Sequence, residues 1–171
     1  MKFLVTTSKR PSKRVRSFVK DLAQIFSYER IVRGKKSSQE LRNILMEKGG
    51  EGILIVDTKK GNPSRIRVIK NNGSTYQILL KGARLLREFP DKIPILSKEP
   101  LILANNEMAL EIAKILNLKT VDSLDKLKEN TNIIVVNVKK IEGKGELYLV
   151  NLYNVKTKKY YGPLMKIRKI L

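Results

Sequence analysis

Apolar and polar positions along this chain switch between a period of two and a period of about 3.6, and the switches mark out its elements. Phe3, Leu4 and Val5 form an apolar strand that runs into a hydroxyl-rich turn, Thr6-Thr7-Ser8. Val15, Phe18, Val19, Leu22 and Phe26 then recur at three- and four-residue spacing, which predicts a helix with one buried stripe. Ser12 is its expected N-cap, with Pro11 just outside, because a hydroxyl there accepts from an otherwise orphaned amide. Ile31 and Val32 predict a short strand ending at Arg33-Gly34-Lys35-Lys36. Ser37-Ser38-Gln39-Glu40 reads as a capping box opening a helix with Leu41, Ile44 and Leu45 on one face, stopped by Gly49-Gly50. Ile53 to Val56 is too short an apolar run for a helix and predicts a strand covered on both faces, the centre of a sheet. Lys59 to Ser64 is a basic turn. Arg65-Ile66-Arg67-Val68 alternates, burying one face and offering the two arginines on the other. Asn72-Gly73 is a two-residue hairpin signal that returns the chain along Tyr76, Ile78 and Leu80.

Residues 82 to 100 read as a crossing segment, since Pro90, Pro94 and Pro100 forbid long regular structure there. The pattern then restarts. Leu101 to Leu103 is a strand, and Asn105 or Asn106 caps a helix with Met108, Ile112, Ile115 and Leu116 inward. Lys119 to Val121 is a short strand, Asp122 or Ser123 opens a brief helix, and Ile133 to Val136 is again fully apolar. A turn at Glu142-Gly143-Lys144-Gly145 precedes strands at Leu147 to Tyr153 and Tyr160 to Ile167. Both halves thus read strand, helix, strand, helix, strand, strand, strand, an internal duplication within a mixed α/β (α+β) chain. One continuous mixed sheet and two sheets packed about a pseudo-twofold both satisfy this layout. The expected organisation is one domain over residues 1–171, with a basic first half to about residue 85, a crossing segment to about residue 100, and a second half from residue 101.

Charge sharpens the picture. With 36 Lys and Arg against 16 Asp and Glu, net charge is +20, which points to nucleic acid or an anionic membrane surface as partner. Membrane is the weaker reading, because no apolar run approaches the ~18 residues that a span needs, and a cytoplasmic chain is expected. The absence of Cys and His removes disulfides, thiolate nucleophiles, the usual zinc ligands and the imidazole base. Ten of the eleven arginines precede residue 99, where the net charge is +15, against +5 for the remainder. Arginine suits bidentate phosphate contacts and stacking on bases, so the binding face is expected in the first half.

Within that half, Lys9, Arg10, Lys13, Arg14 and Arg16 crowd the start of the first helix, and no carboxylate offsets them before Asp21. The helix dipole already presents positive charge there, and each added cation costs about 0.3–1 kcal/mol. A local rule broken without visible compensation marks a candidate functional site, and the missing partner is an anion such as phosphate. The corresponding helix of the second half starts Asn105-Asn106-Glu107, with the acid that the dipole prefers. The candidate nucleic-acid-binding set is Lys9, Arg10, Lys13, Arg14, Arg16, Lys20, Arg33, Lys35, Lys36, Lys59, Lys60, Arg65 and Arg67. Tyr28, Tyr76 or Tyr160 could stack on unpaired bases.

The opening LVTTSKRPSKRVRSFVKDLA, the KGNPSRIRV segment and the duplicated layout resemble the Brix-domain family, and most of all its minimal archaeal members. The resemblance covers the whole chain and is most specific in the opening stretch. It implies a ribosome biogenesis factor that binds precursor ribosomal RNA and acts in rRNA processing and subunit assembly; the shortage of convergent carboxylates and the lack of Cys and His add the expectation of no catalysis and no cofactor. It also implies halves similar to the anticodon-binding domain of class II aminoacyl-tRNA synthetases. Pre-ribosomal particles are the expected partner and a monomer the expected state. Two alternatives stand beside it. One is a structural ribosomal or tRNA-binding module. The other is a magnesium-dependent RNA-processing enzyme, for which Asp57 at the end of a central strand is the only well-placed carboxylate, although the metal would need two or three.

Overall fold

A computed structural model describes residues 3–94, 98–128, 131–143 and 145–171. The first half runs β1 (Phe3–Thr7), α1 (Lys13–Phe26), β2 (Glu29–Arg30), α2 (Ser38–Lys48), β3 (Gly52–Lys59), β4 (Asn62–Lys70) and β5 (Thr75–Ala83). A 3-10 turn at Leu86–Glu88 lies in the crossing segment. The second half runs β6 (Leu101–Leu103), α3 (Glu107–Leu116), β7 (Thr120–Val121), a 3-10 turn at Leu124–Lys126, then β8 (Ile134–Ile141), β9 (Leu147–Asn154) and β10 (Lys159–Ile170). Lys144, in the turn expected between β8 and β9, lies outside the described residues.

All ten strands join one sheet in the order β2-β1-β3-β4-β5-β10-β9-β8-β6-β7. The order reads the same from either end, and the two halves meet where β5 pairs antiparallel with β10. β1 is parallel to β2 and β3, β6 is parallel to β7 and β8, and the remaining pairings are antiparallel. Of the two sheet arrangements open to the sequence, the continuous one is realised.

Helices α1 and α3 cover one face and share a core. Val15, Phe18, Val19, Leu22, Ile25 and Phe26 of α1 are buried there, with Ile112, Ile115 and Leu116 of α3. Among the described residues, the opposite face is covered at its ends. Leu41 and Leu45 of α2 pack on Leu4, Ile53 and Ile55 at one end, and the second 3-10 turn packs near Leu103, Val135 and Val155 at the other. Each fully buried apolar side chain of this size contributes roughly 1.5–3 kcal/mol.

Local predictions at helix ends hold in detail. Ser12 accepts from the Val15 amide, Ser37 and Glu40 close the capping box, and Asn106 and Ser123 are the caps among the alternatives. Three boundaries differ from the sequence reading. The second strand is Glu29–Arg30, not Ile31–Val32, because pairing with β1 sets its register through Leu4↔Glu29 and Val5↔Arg30. β4 begins at Asn62, so the basic turn shrinks to Lys60-Gly61, both at positive φ (50° and 78°), which suits a two-residue hairpin. The Asn72-Gly73 hairpin is instead a three-residue loop: the Lys70 amide donates to Ser74 O and only Gly73 is at positive φ.

Candidate nucleic-acid interface

β1 ends at Thr7 beside β3, with the Ser8 amide donating to Val56 O at 2.9 Å. The chain then turns through Arg10, held at φ 56°, and enters α1 at Lys13. A non-glycine residue in this left-handed region costs roughly 1–2 kcal/mol, and Lys60 in the β3–β4 turn is placed the same way, at φ 50°. One side chain joins the two strained cations: Ser12 Oγ, while capping α1, donates to Gly61 O at 2.8 Å. The hydroxyl therefore brings the Lys60-Gly61 turn against the start of α1, a juxtaposition across 49 residues.

The structure divides the predicted cations into two sets. Lys9, Arg10, Lys13, Arg16, Lys20, Lys35, Lys59 and Lys60 are exposed, and none makes a side-chain hydrogen bond or ion pair among the described residues. The others are engaged, which corrects the expectation that the arginines lack partners. Arg14 donates through both terminal nitrogens to Glu88 (2.8 and 2.9 Å) and also to Ala83 O (2.9 Å). The carboxylate missing from the helix start thus comes from the crossing segment, 74 residues away. The Arg14 bonds and the Leu85 amide hold the Glu88 carboxyl at about 2. The crossing segment is fixed to the same helix by Asp21, which accepts from the Leu86 amide at 2.8 Å; burial pushes the Asp21 carboxyl upward.

Arg65 and Arg67, expected to be offered to solvent, close on Asp57 at 2.6 and 2.9 Å. This happens because β3 and β4 pair Asp57 with Arg65 on the face where Arg67 also lies. Asp57 is therefore an arginine partner, and no metal-ligand cluster occurs among the described residues. Arg33 is only 7 % exposed and donates to Lys36 O (2.8 Å) and Thr7 O (3.1 Å), bracing the loop after β2 against the end of β1. Burial, followed by the neighbouring Arg67, lowers its pKa. Lys36 donates to Val32 O at 3.0 Å.

Sequence reading missed Arg30. It sits at the end of β2, exposed, and lines a cleft of about 280 Å³ with Arg10, Arg16 and Arg33 around Pro11, Val19, Ile31 and Val32. The cleft has a topological cause. The loop leaving β1 climbs to α1 on one face of the sheet, and the loop leaving β2 passes to α2 on the other, so the two part at the carboxyl ends of neighbouring parallel strands. The usable signal was the basic residue beside Ile31, hidden by placing the strand two residues late.

Of the three candidate stacking tyrosines, Tyr28 is buried against Phe3 and Phe26, with burial raising its phenol, and Tyr76 packs on the main core. Tyr160 is 56 % exposed and leans on Tyr153, ring centres 4.7 Å apart. No helix among the described residues is long and apolar enough to cross a membrane.

No family model matches the chain. It is, however, 31 % identical to a Pyrococcus abyssi protein named as a Brix domain-containing ribosomal biogenesis protein, over 96 % of this chain and 82 % of that one. A like-named Aeropyrum pernix protein is 41 % identical across about half of each chain (49 % and 50 %). Among solved structures, a ribosomal biogenesis protein from Aeropyrum pernix K1 superposes with a TM-score of 0.77 at 27 % identity, covering 98 % and 96 % of the two chains. Mil, an archaeal Imp4-like protein, shares the fold with a TM-score of 0.66 at 23 % identity over 98 % of each. Identity at this level across nearly the whole length, together with the shared fold, means that the chain belongs to the Brix-domain family of ribosomal biogenesis proteins.

Proposed function

We propose that this protein binds precursor ribosomal RNA during ribosomal subunit assembly, holding phosphates with the unpaired cations gathered at the start of α1. The observation that carries the reading is the sorting of charges. Lys9, Arg10, Lys13, Arg16, Lys59 and Lys60 stand exposed at one end of the sheet with no carboxylate partner among the described residues, while Arg14 is paired with Glu88 and Arg65 and Arg67 with Asp57. Exposed cations without partners gain most from releasing the counterions of a polyanion. The role is one of binding, with no catalytic step, by a monomer in the cytoplasm. We read the two halves as copies of one unit, of which the first carries the RNA face; the mirrored sheet order supports this.

The test is RNA affinity as a function of salt. With about six phosphates engaged on single strands, log affinity falls against log salt with a slope near −4. A flat response overturns the reading. Co-sedimentation separates it from a permanent ribosomal component: an assembly factor travels with precursor particles and leaves mature ones.

A further inference from the structure

Phosphate binding alone leaves the apolar part of the arginine-lined cleft unused. We infer that the cleft between the loops after β1 and β2 receives one unpaired nucleotide of a single-stranded RNA, its base lying on Val32, Ile31 and Pro11 and its phosphates meeting Arg10, Arg16 and Arg30. The inference rests on the RNA-binding reading above and adds to it a base contact.

Three observations carry it. The cleft is amphipathic in the way a nucleotide is, an apolar floor under a guanidinium rim, and Val32 is left 69 % exposed at its edge. Guanidinium planes stack on bases as well as pairing with phosphates. The size fits as well: about 280 Å³ lies just below the ~300–1,000 Å³ of sites that enclose drug-sized ligands. That is the scale of one nucleotide.

The third observation is electrostatic and independent of shape. Arg33, more than nine-tenths buried in the wall of the cleft, donates to two carbonyls and, among the described residues, to no carboxylate. Buried charges are ordinarily paired. Asp57, a carboxylate whose charge acts on Arg33, is already shared by Arg65 and Arg67. Arg33 thus brings a buried positive charge to the cleft wall with no carboxylate bonded to it among the described residues, and that charge favours an anion at the mouth.

The experiment compares two probes of equal length and charge on the full chain, a single-stranded oligouridine and an abasic ribose-phosphate chain. Wild type is expected to bind the base-bearing probe tighter, on the order of tenfold for one stacked base. Val32→Ser, at an exposed position and with its melting temperature as folding control, is expected to erase that preference and leave abasic affinity unchanged. Arg30→Gln is expected to weaken both probes. Equal binding of both probes by wild type overturns the cleft inference and leaves phosphate binding standing, as does a preference that Val32→Ser does not alter. Failure to bind either probe overturns both readings.

Discussion

The helix starts of the two halves are built alike and charged differently. In each, the N-cap side chain accepts the amide three residues on and also donates to a carbonyl across the sheet: Ser12 to Gly61 O at 2.8 Å, Asn106 to Val138 O at 2.7 Å. Each helix ends on a left-handed non-glycine residue, Ser27 at φ 58° and Asn117 at φ 51°. Yet α1 has no acid in its first turn, while α3 has Glu107. After the short second strand the first half places Ile31 to Gly34 beside Arg30, whereas the second places Asp122, paired with Lys126 at 3.2 Å. The shared features are what the fold requires. The cations are absent from the second helix start, so the fold does not require them, and this supports the proposed binding role of the first.

The largest expected effect breaks the comparison at that point. Changing Arg10, Lys59 and Lys60 to Glu, and separately Lys139, Lys140 and Lys159 to Glu, alters net charge equally in the two halves. The first variant should lose RNA affinity by about a hundredfold at low salt, because carboxylates then stand beside phosphates, and the second by only a few-fold. Equal losses would mean that overall charge, and no particular face, holds the RNA.

Next in size is the difference between engaged and free arginines on one helix. Arg14→Gln removes the Glu88 pair and the bond to Ala83 O, and should lower stability by about 1–2 kcal/mol, a figure reduced for the partial exposure of the pair. Arg16→Gln should leave stability unchanged and weaken RNA binding. Thermal denaturation with a binding titration separates them, and the reverse pattern would exchange their roles. The pair also sets a pH window. Glu88 is depressed to about 2 from an ordinary 4.5, so its stabilisation is full above about pH 4.5 and is lost as pH falls toward 2. The stability gap between wild type and Glu88→Gln should therefore narrow across that interval; a gap independent of pH would remove the ion pair as its cause.

Smaller effects test what the halves share. Ser12→Ala and Asn106→Ala should each cost about 1 kcal/mol, since both caps satisfy an orphaned amide. A loss at only one of them would break the structural equivalence. Smallest is the dipole contribution: Lys13→Glu should stabilise by about 0.3–1 kcal/mol while reducing RNA affinity, and Glu107→Lys should destabilise by a similar amount. Denaturant melts of both proteins check the opposite signs.

Sequence legibility follows the range of the interaction concerned. Caps at Ser12 and Ser37, the stripe from Val15 to Phe26 and the buried run Ile53–Val56 depend on residues within a few positions of one another, so spacing and chemistry suffice to read them. The order of the elements was legible for the same reason, although the brief helix expected near Ser123 is a 3-10 turn. Register was less so: β2 lies two residues before its expected place because hydrogen bonding to β1, not local hydrophobicity, chose it, and Arg30 went unnoticed with it.

By itself the sequence determined the elements, their buried faces and the concentration of arginine in the first half. Tertiary structure alone decided that the halves merge at β5 and β10 into one sheet, that Glu88 reaches Arg14 across 74 residues, and that Asp57 takes both Arg65 and Arg67. It also decided that Arg30 meets Arg10 and Arg16 around a cleft. The physical reason is the reach of each force. Helix periodicity and capping act within a turn or two of chain, whereas the pairing of a cation depends on which carboxylate the finished fold places within a few ångströms of it, and no local pattern encodes that distance.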